Sequence, residues 1–183
     1  KLHPAFNWLD LELEKRGQKA KGQDGEGFRL RIANSIWGQQ DFKFLSPFLD
    51  TLAINYGAGL RTVDFIKDTE TSRVTINDWV AEQTENRIKD LIPQGSVNQM
   101  TRMVLTNAIY FNAAWLNPFK EEMTTSGTFT KLDGSTISVP LMKQISSMRY
   151  TEGIDYQAVE LQYDGRELAM VVLLPKDGQF GKF

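Results

Sequence analysis

The 183-residue sequence contains no cysteine and a single histidine, and these two shortages exclude several functions. Without cysteine there is no disulfide, no thiol nucleophile and no cysteine-ligated metal. His3 precedes Pro4 at the start of a predicted helix, so we expect it to cap that helix rather than to serve in a Ser-His-Asp triad. One histidine also falls short of the ligand set of a zinc site. We therefore expect no enzyme, no cofactor and no metal.

Long apolar runs and an excess of basic charge are also lacking. No apolar run approaches the ~20 residues of a membrane-spanning helix. Lys and Arg number 21 against 23 Asp and Glu, whereas a nucleic-acid surface needs clustered basic residues. We expect neither a membrane nor a nucleic acid as partner. The hydrophobic content of 41% is typical of a globular domain of ordinary size.

The most informative stretch spans residues 101–119, which begin at Thr101 and end at Phe119. Its odd positions from 103 to 111 and its even positions from 104 to 110 are almost all apolar or small. This pattern is typical of a strand covered on both faces. Asn107 interrupts the apolar row, and a buried amide without partners costs about 1–3 kcal/mol. Asn107 is expected either to cap a kink or bulge, or to belong to a polar cluster that locks a sheet able to open.

The remaining pattern predicts a mixture of helices and hairpins. Helical spacing predicts helices over 4–16, from Ser46 onward and over 72–92. Two Asp-Gly pairs, at 133–134 and 164–165, predict β-hairpins. The apolar run 169–175 predicts a second strand buried on both faces. Asp78 and Glu82 stand one helical turn apart, and we expect exposed helix surface there rather than acid–base chemistry.

Three strings of residues carry a resemblance to a known family. Their order and spacing resemble the middle of a serpin. The three strings are INDWV at 76–80, TNAIYFNAAWLNPF at 106–119 and VPLM at 139–142. The positions that match the family pattern are Ile76, Asn77, Trp79, Val80, Asn107, Tyr110, Phe111, Trp115, Pro118, Phe119, Val139, Pro140 and Met142.

The resemblance implies an α+β fold, with helices packed on a large mixed or antiparallel sheet and with smaller β-sheets beside it. Residues 1–183 are expected to form one incomplete serpin domain. The upstream helices and the C-terminal half, with the reactive loop and its reactive bond, are expected to lie outside the chain.

The resemblance also implies a function, the inhibition of serine-type or, alternatively, cysteine-type endopeptidases by suicide trapping. The target protease cleaves the reactive loop, which then inserts into the large sheet. Asn107 corresponds to the family's shutter, and Trp115 and Thr124 to its breach, where insertion begins; composition alone reads Trp115 as a core aromatic. The helix that carries Asn77 and Trp79 would shift to let the loop pass. An extracellular or periplasmic location is implied as well.

Two further expectations concern alternatives and partners. A non-inhibitory serpin relative, acting as a carrier, chaperone or structural binding protein, is the alternative function. The edge of the strand at 101–119 is expected to pair with a second copy or with the missing C-terminal half, because unpaired N–H and C=O groups are a template for another strand.

Overall fold

The computed structural model of the chain describes residues 2–17, 19–22, 27–56 and 59–183. The chain divides into two compact units. Unit 1 comprises Lys1–Lys15 and Arg29–Asn112, and unit 2 comprises Arg16–Phe28 and Ala113–Phe183. Helices and strands are named α and β in chain order.

Unit 1 is built around a mixed sheet. Its described elements are α1 (Leu2–Glu14), β1 (Phe28–Gln39), α2 (Ser46–Tyr56), β2 (Leu60–Val63), α3 (Thr69–Gln83) and β3 (Met103–Ala113). The strand order is β2-β1-β3, and β1 runs parallel to β2. Gln39 N donates to Arg102 O, and Asn34 contacts Asn107. From the first contact to the second, the residue number falls from 39 to 34 on β1 and rises from 102 to 107 on β3, so the two strands are antiparallel.

Helix α3 covers one face of this sheet. Ile76 and Val80 lie one turn apart on the same side of the helix and are fully buried. Each anchors an apolar cluster that includes alternate residues of the strands. The clusters are Trp37, Phe65, Ile76 and Val97 in one case, and Ala33, Val80 and Ala108 in the other. The core of unit 1 therefore lies between α3 and the sheet.

Helix α3 ends earlier than the sequence predicted, so the prediction of a helix over 72–92 is wrong at its C-terminal end. The buried Thr84 hydroxyl donates back to Val80 O at 2.7 Å and accepts from Ile88 N at 3.2 Å. Glu85 and Asn86 then have φ of 53° and 59°, in the left-handed region that stops a right-handed helix. The chain over 84–92 returns along α3.

Strand β3 is covered on one face only, so the prediction of a strand buried on both faces is wrong for this chain. Thr106 and Ala108, at even positions, face α3 and are buried. The odd positions are exposed: Met103, Leu105, Asn107, Ile109 and Phe111. The sequence pattern shows which side chains are apolar, but whether they are buried depends on other segments that pack against them. Among the residues that the structure describes, none buries this face.

Unit 2 consists of short antiparallel sheets. After a 3-10 turn (Glu121–Met123) come β4 (Thr125–Thr130), β5 (Thr136–Leu141), β6 (Arg149–Glu152), β7 (Tyr156–Gln162) and β8 (Ala169–Pro175). β4 pairs with β5, and the other strands form a sheet of order β6-β7-β8. Gly134 and Gly165 have φ of 80° and 82°, a conformation that glycine adopts without a Cβ clash. Both predicted hairpins are confirmed.

The prediction that β8 is buried on both faces is wrong. Ala169–Leu174 are all exposed, on both sides of the strand. The reason is the one found for β3: the residues are suited to burial, but no described segment covers them.

Two carboxylates beside the β7–β8 turn bind the segment before β1. Glu167 Oε2 accepts from Gly17 N at 2.6 Å, and Asp164 Oδ2 accepts from Lys21 N and Gly22 N at 2.9 and 3.0 Å. These backbone N–H groups, with Lys21 N first, hold the pKa of Asp164 below its usual range. The contacts fasten Gly17, Lys21 and Gly22 to the turn within unit 2.

Acidification should release this segment. The pKa of Asp164 is lower in the folded than in the unfolded chain. The stabilisation of the fold by this carboxylate is therefore fully present above the unfolded pKa of about 3.9 and is lost as the pH falls through the folded pKa. Asp164→Asn should remove it at every pH. The protection factors of the Lys21 and Gly22 amides measure the effect, with Asp177→Asn as control. Equal protection in the two variants would contradict the assignment.

Candidate functional site

Asn107 lies at the middle of β3, on the exposed face of the sheet. Its Nδ2 donates to Oδ1 of Asn34 on β1 at 2.7 Å, between the exposed side chains of Leu105 and Ile109. Gln39 pairs with Arg102 and Asn34 with Asn107, a step of five residues on each strand. No residue is inserted between these pairs, so this stretch contains no bulge. Asn107 forms a polar cross-strand pair.

A second polar pair lies on the opposite face, beneath α3. Thr106 Oγ1 donates to Ser35 O at 3.3 Å, and both residues are buried. Together, Asn34, Ser35, Thr106 and Asn107 form a polar band across β1 and β3, with one pair on each face. Sequence reasoning missed the buried pair because a β-branched threonine is an ordinary strand residue. The only available signal was its place beside Asn107.

Asn77 joins α3 to the chain that returns along it. The buried Asn77 side chain donates from Nδ2 to Ile92 O at 3.0 Å and accepts from Ile92 N at 2.9 Å. Arg73 Nη1 donates to the same carbonyl at 2.8 Å. These bonds hold residues 84–92 against α3, so helix and returning segment are tied together as one body.

We expect Asn77→Ala to lower the free energy of unfolding by about 1–3 kcal/mol, because the Ile92 N–H loses its partner in a partly buried place. Thr75→Ala, on the exposed side of the same helix, is the control and should cost less than about 0.5 kcal/mol. Urea denaturation measures both changes. A loss for Asn77→Ala no larger than that of the control would contradict a role for the two hydrogen bonds.

Trp79 links α3 to β1 and β2. Its ring meets the Trp37 ring edge-on, with centroids 5.8 Å apart. The Arg61 guanidinium on β2 lies over both rings, 5.0 Å from the Trp79 centroid and 5.5 Å from that of Trp37. Such cation–π contacts are favourable at these distances. Trp79 is therefore part of the packing that seats α3 on the sheet.

In unit 2, Trp115 lies just after β3 and packs on another aromatic ring. It stacks on Tyr163, with centroids 4.6 Å apart and planes within 11°, and meets Phe119 edge-on at 6.2 Å. A β-bridge also joins Trp115 to Tyr163. Thr124 closes the 3-10 turn, its N–H donating to Glu121 O at 2.9 Å, and directly precedes β4.

The structure brings only some of the predicted site residues together. Asn77 and Trp79 lie with α3, on the face of the sheet opposite to the Asn107 side chain. Asn107 thus contacts Asn34 rather than the helix. Trp115 and Thr124 both belong to unit 2. Their roles in a shutter, a mobile helix and a breach stay predictions.

Other candidate groups have ordinary environments. The prediction that His3 caps a helix is wrong, because α1 already includes it; its Nδ1 shares a 2.7 Å hydrogen bond with the Tyr56 hydroxyl. Asp78 and Glu82 are exposed. Within the described part of the chain, no three potential metal-ligating side chains cluster. None of the described helices is both long and apolar enough to cross a membrane.

Comparison with known proteins identifies the family. A family model described as "Serpin (serine protease inhibitor)" matches residues 2–183. The chain is 38% identical to leukocyte elastase inhibitor of Homo sapiens over 178 residues, covering 96% of this chain and 45% of that protein. It is 39% identical to antithrombin-III of Mus musculus, covering 96% of this chain and 36% of that protein.

A solved structure agrees with these matches. Ovalbumin from emu (Dromaius novaehollandiae) superposes with a TM-score of 0.84 at 30% identity, covering 97% of this chain and 44% of that one. The chain thus spans less than half the length of each of these proteins. The α+β fold is that of a serpin, and the chain belongs to the serpin family.

Proposed function

We propose that this chain forms part of an inhibitor of serine endopeptidases that traps its target by inserting a strand beside β3. The observation that carries the proposal is the second edge of β3. This strand pairs with β1 on one side, and among the described residues no strand pairs with it on the other. A similar protein is named as an inhibitor of leukocyte elastase, which supports a protease as partner. Cysteine endopeptidases are the alternative target class.

The hydrogen-bonding direction of β3 suits insertion. Gln39 N donates to Arg102 O, and in an antiparallel ladder the residues that bond a given neighbour alternate. The even-numbered residues of β3 therefore bond β1. Leu105, Asn107 and Ile109 direct their N–H and C=O groups to the free edge, where an extended segment can add as a further strand.

The roles proposed for individual residues follow from this insertion. Asn107 acts in the shutter, because its contact with Asn34 crosses the sheet at the middle of the strand that borders the insertion. Helix α3 moves together with residues 84–92, since Asn77 binds Ile92 rather than the sheet. Trp115 and Thr124 act in the breach, and support for this comes from their family positions alone.

The test is the reaction of the whole protein that contains this chain with purified serine and cysteine endopeptidases. We expect loss of protease activity and a complex of inhibitor and protease that survives denaturing electrophoresis with at least one serine enzyme. Cleavage of the protein without such a complex would contradict the proposal and favour the carrier, chaperone or structural alternative. A complex with cysteine enzymes alone would assign the other target class.

We also propose that the free edge of β3 pairs with a second copy of the chain or with the rest of the domain. The exposed apolar side chains of Leu105 and Ile109 on the same strand support this pairing. An extracellular or periplasmic location stays a prediction, which fractionation of the producing cells would test.

A further inference from the structure

We propose that unit 1 contains a binding site for a small amphipathic carboxylate, at the edge of β1 and apart from the proposed insertion edge. The site is a cavity of about 640 Å³, within the ~300–1,000 Å³ of ordinary ligand pockets. Its walls come from α1, the end of α2, β1, the start of β2 and Trp79 of α3.

The cavity exists because β2 covers only part of the β1 edge. The two strands pair from Ile36 with Leu60 to Gln39 with Val63. Residues 32–35 of β1 extend beyond the start of β2, and α1 lies over the gap. Two of these residues, Asn34 and Ser35, accept hydrogen bonds from β3, which pairs with the other edge of β1. Pairing or insertion at the far edge of β3 therefore leaves this cavity accessible.

One wall of the cavity is apolar. Phe6, Leu9 and Leu13 of α1 line it together with Ile32 and Leu60. The three helical residues recur at i, i+3 and i+7, so they form one stripe about 10 Å long. Phe6 is still 51% exposed. An apolar ligand body of that length would bury surface that the protein leaves in contact with water.

The other end of the cavity is polar and is lined by the positively charged side chain of Arg61. Ser35 lines it and is 4% exposed, and its hydroxyl has no hydrogen-bond partner among the described residues. Such a buried group without a partner is costly, and a ligand oxygen would satisfy it. Arg61 lies over the rings of Trp37 and Trp79 and forms no ion pair within the described part of the chain. Both groups suit a carboxylate.

The acidic residues of the cavity fix the orientation of the ligand. Asp10 and Glu14 line this cavity, but they also line a neighbouring one of about 360 Å³ that neither Ser35 nor Arg61 lines. The acidic pair therefore lies toward the opposite end from Arg61. It repels a carboxylate from that end, so the charged head lies at Arg61 and the apolar body along α1.

Titration calorimetry with decanoate and its uncharged counterpart decanol tests the site on the 183-residue chain. We expect one saturable decanoate site per chain with a Kd below about 1 mM. Arg61→Gln should weaken decanoate about tenfold and leave decanol binding unchanged. Arg87→Gln is the matched control, because Arg87 also lies over an aromatic ring, that of Tyr110, but does not line the cavity.

A second variant keeps the test independent of the charge change. Leu13→Trp should fill the cavity and abolish binding of both ligands, while far-UV circular dichroism matches that of the unsubstituted chain. Equal binding of decanoate and decanol, an unchanged decanoate affinity in Arg61→Gln, or no saturable binding below about 1 mM would each overturn the proposal. None of these results bears on protease inhibition, which the reaction with endopeptidases tests separately.

Discussion

At micromolar concentration the purified 183-residue chain should sediment as a concentration-dependent set of oligomers. No strand in the described part of the chain pairs with the second edge of β3, and on the same strand Leu105 is 67% and Ile109 56% exposed. In unit 2, β8 exposes a second apolar row that includes Val171 and Leu173, which lie on the same face of the strand. Soluble monomers rarely expose contiguous apolar patches larger than a few hundred Å², and a long flat apolar edge recruits another strand.

Two lysines on β3 should shift the chain toward the monomer. Leu105→Lys with Ile109→Lys places charge beside the free edge, the device by which natural edges avoid pairing. Thr71→Lys with Thr75→Lys adds the same charge on the exposed side of α3 and is the control. Sedimentation velocity over a range of concentrations measures both. A monomer at all concentrations in the unsubstituted chain would contradict the prediction, and so would equal behaviour of the two double variants.

Phe65→Ala should lower the free energy of unfolding by about 3–5 kcal/mol, the usual cost of emptying a buried phenylalanine site. Phe65 is fully buried and packs with Trp37 and Ile76 beneath α3. Its loss removes contacts that join the helix to the sheet. Urea denaturation in the Leu105→Lys and Ile109→Lys background keeps self-association out of the measurement.

The control for this prediction is another phenylalanine of unit 1. Phe42 is 48% exposed, so Phe42→Ala creates little cavity and should cost less than about 1 kcal/mol. Similar losses for the two variants would show that the cluster around Phe65 does not hold α3 on the sheet.

Local sequence signals predicted the turns of this fold better than they predicted which strand faces are buried. The Asp-Gly pairs at 133–134 and 164–165 form the expected hairpins, because a turn is decided by the residues within it. The end of α3 depends on the buried Thr84 hydroxyl and on two left-handed residues after it, which helical periodicity does not encode. Burial of the apolar faces of β3 and β8 would require packing against other segments, and none of the described segments covers them.

The candidate site was predictable only in part, for the same reason. The sequence singled out Asn107 because an amide stands out in an apolar row, yet its contact with Asn34 requires the register of β1 against β3. Ser35 and Thr106 resemble ordinary strand residues and become a buried polar pair only in the folded sheet. Arg61 acquires its position over Trp37 and Trp79 from three separate elements.

Amide hydrogen exchange of β3 in the whole protein, before and after reaction with a serine endopeptidase, tests the central claim most directly. Leu105, Asn107 and Ile109 direct their N–H groups to the free edge, whereas the backbone N–H groups of Thr106 and Ala108 point to β1 and are already bonded there. Insertion of a strand should slow exchange at the three odd positions and change the two even positions much less. Unchanged exchange at Leu105, Asn107 and Ile109 after the protease has been inhibited would contradict insertion beside β3.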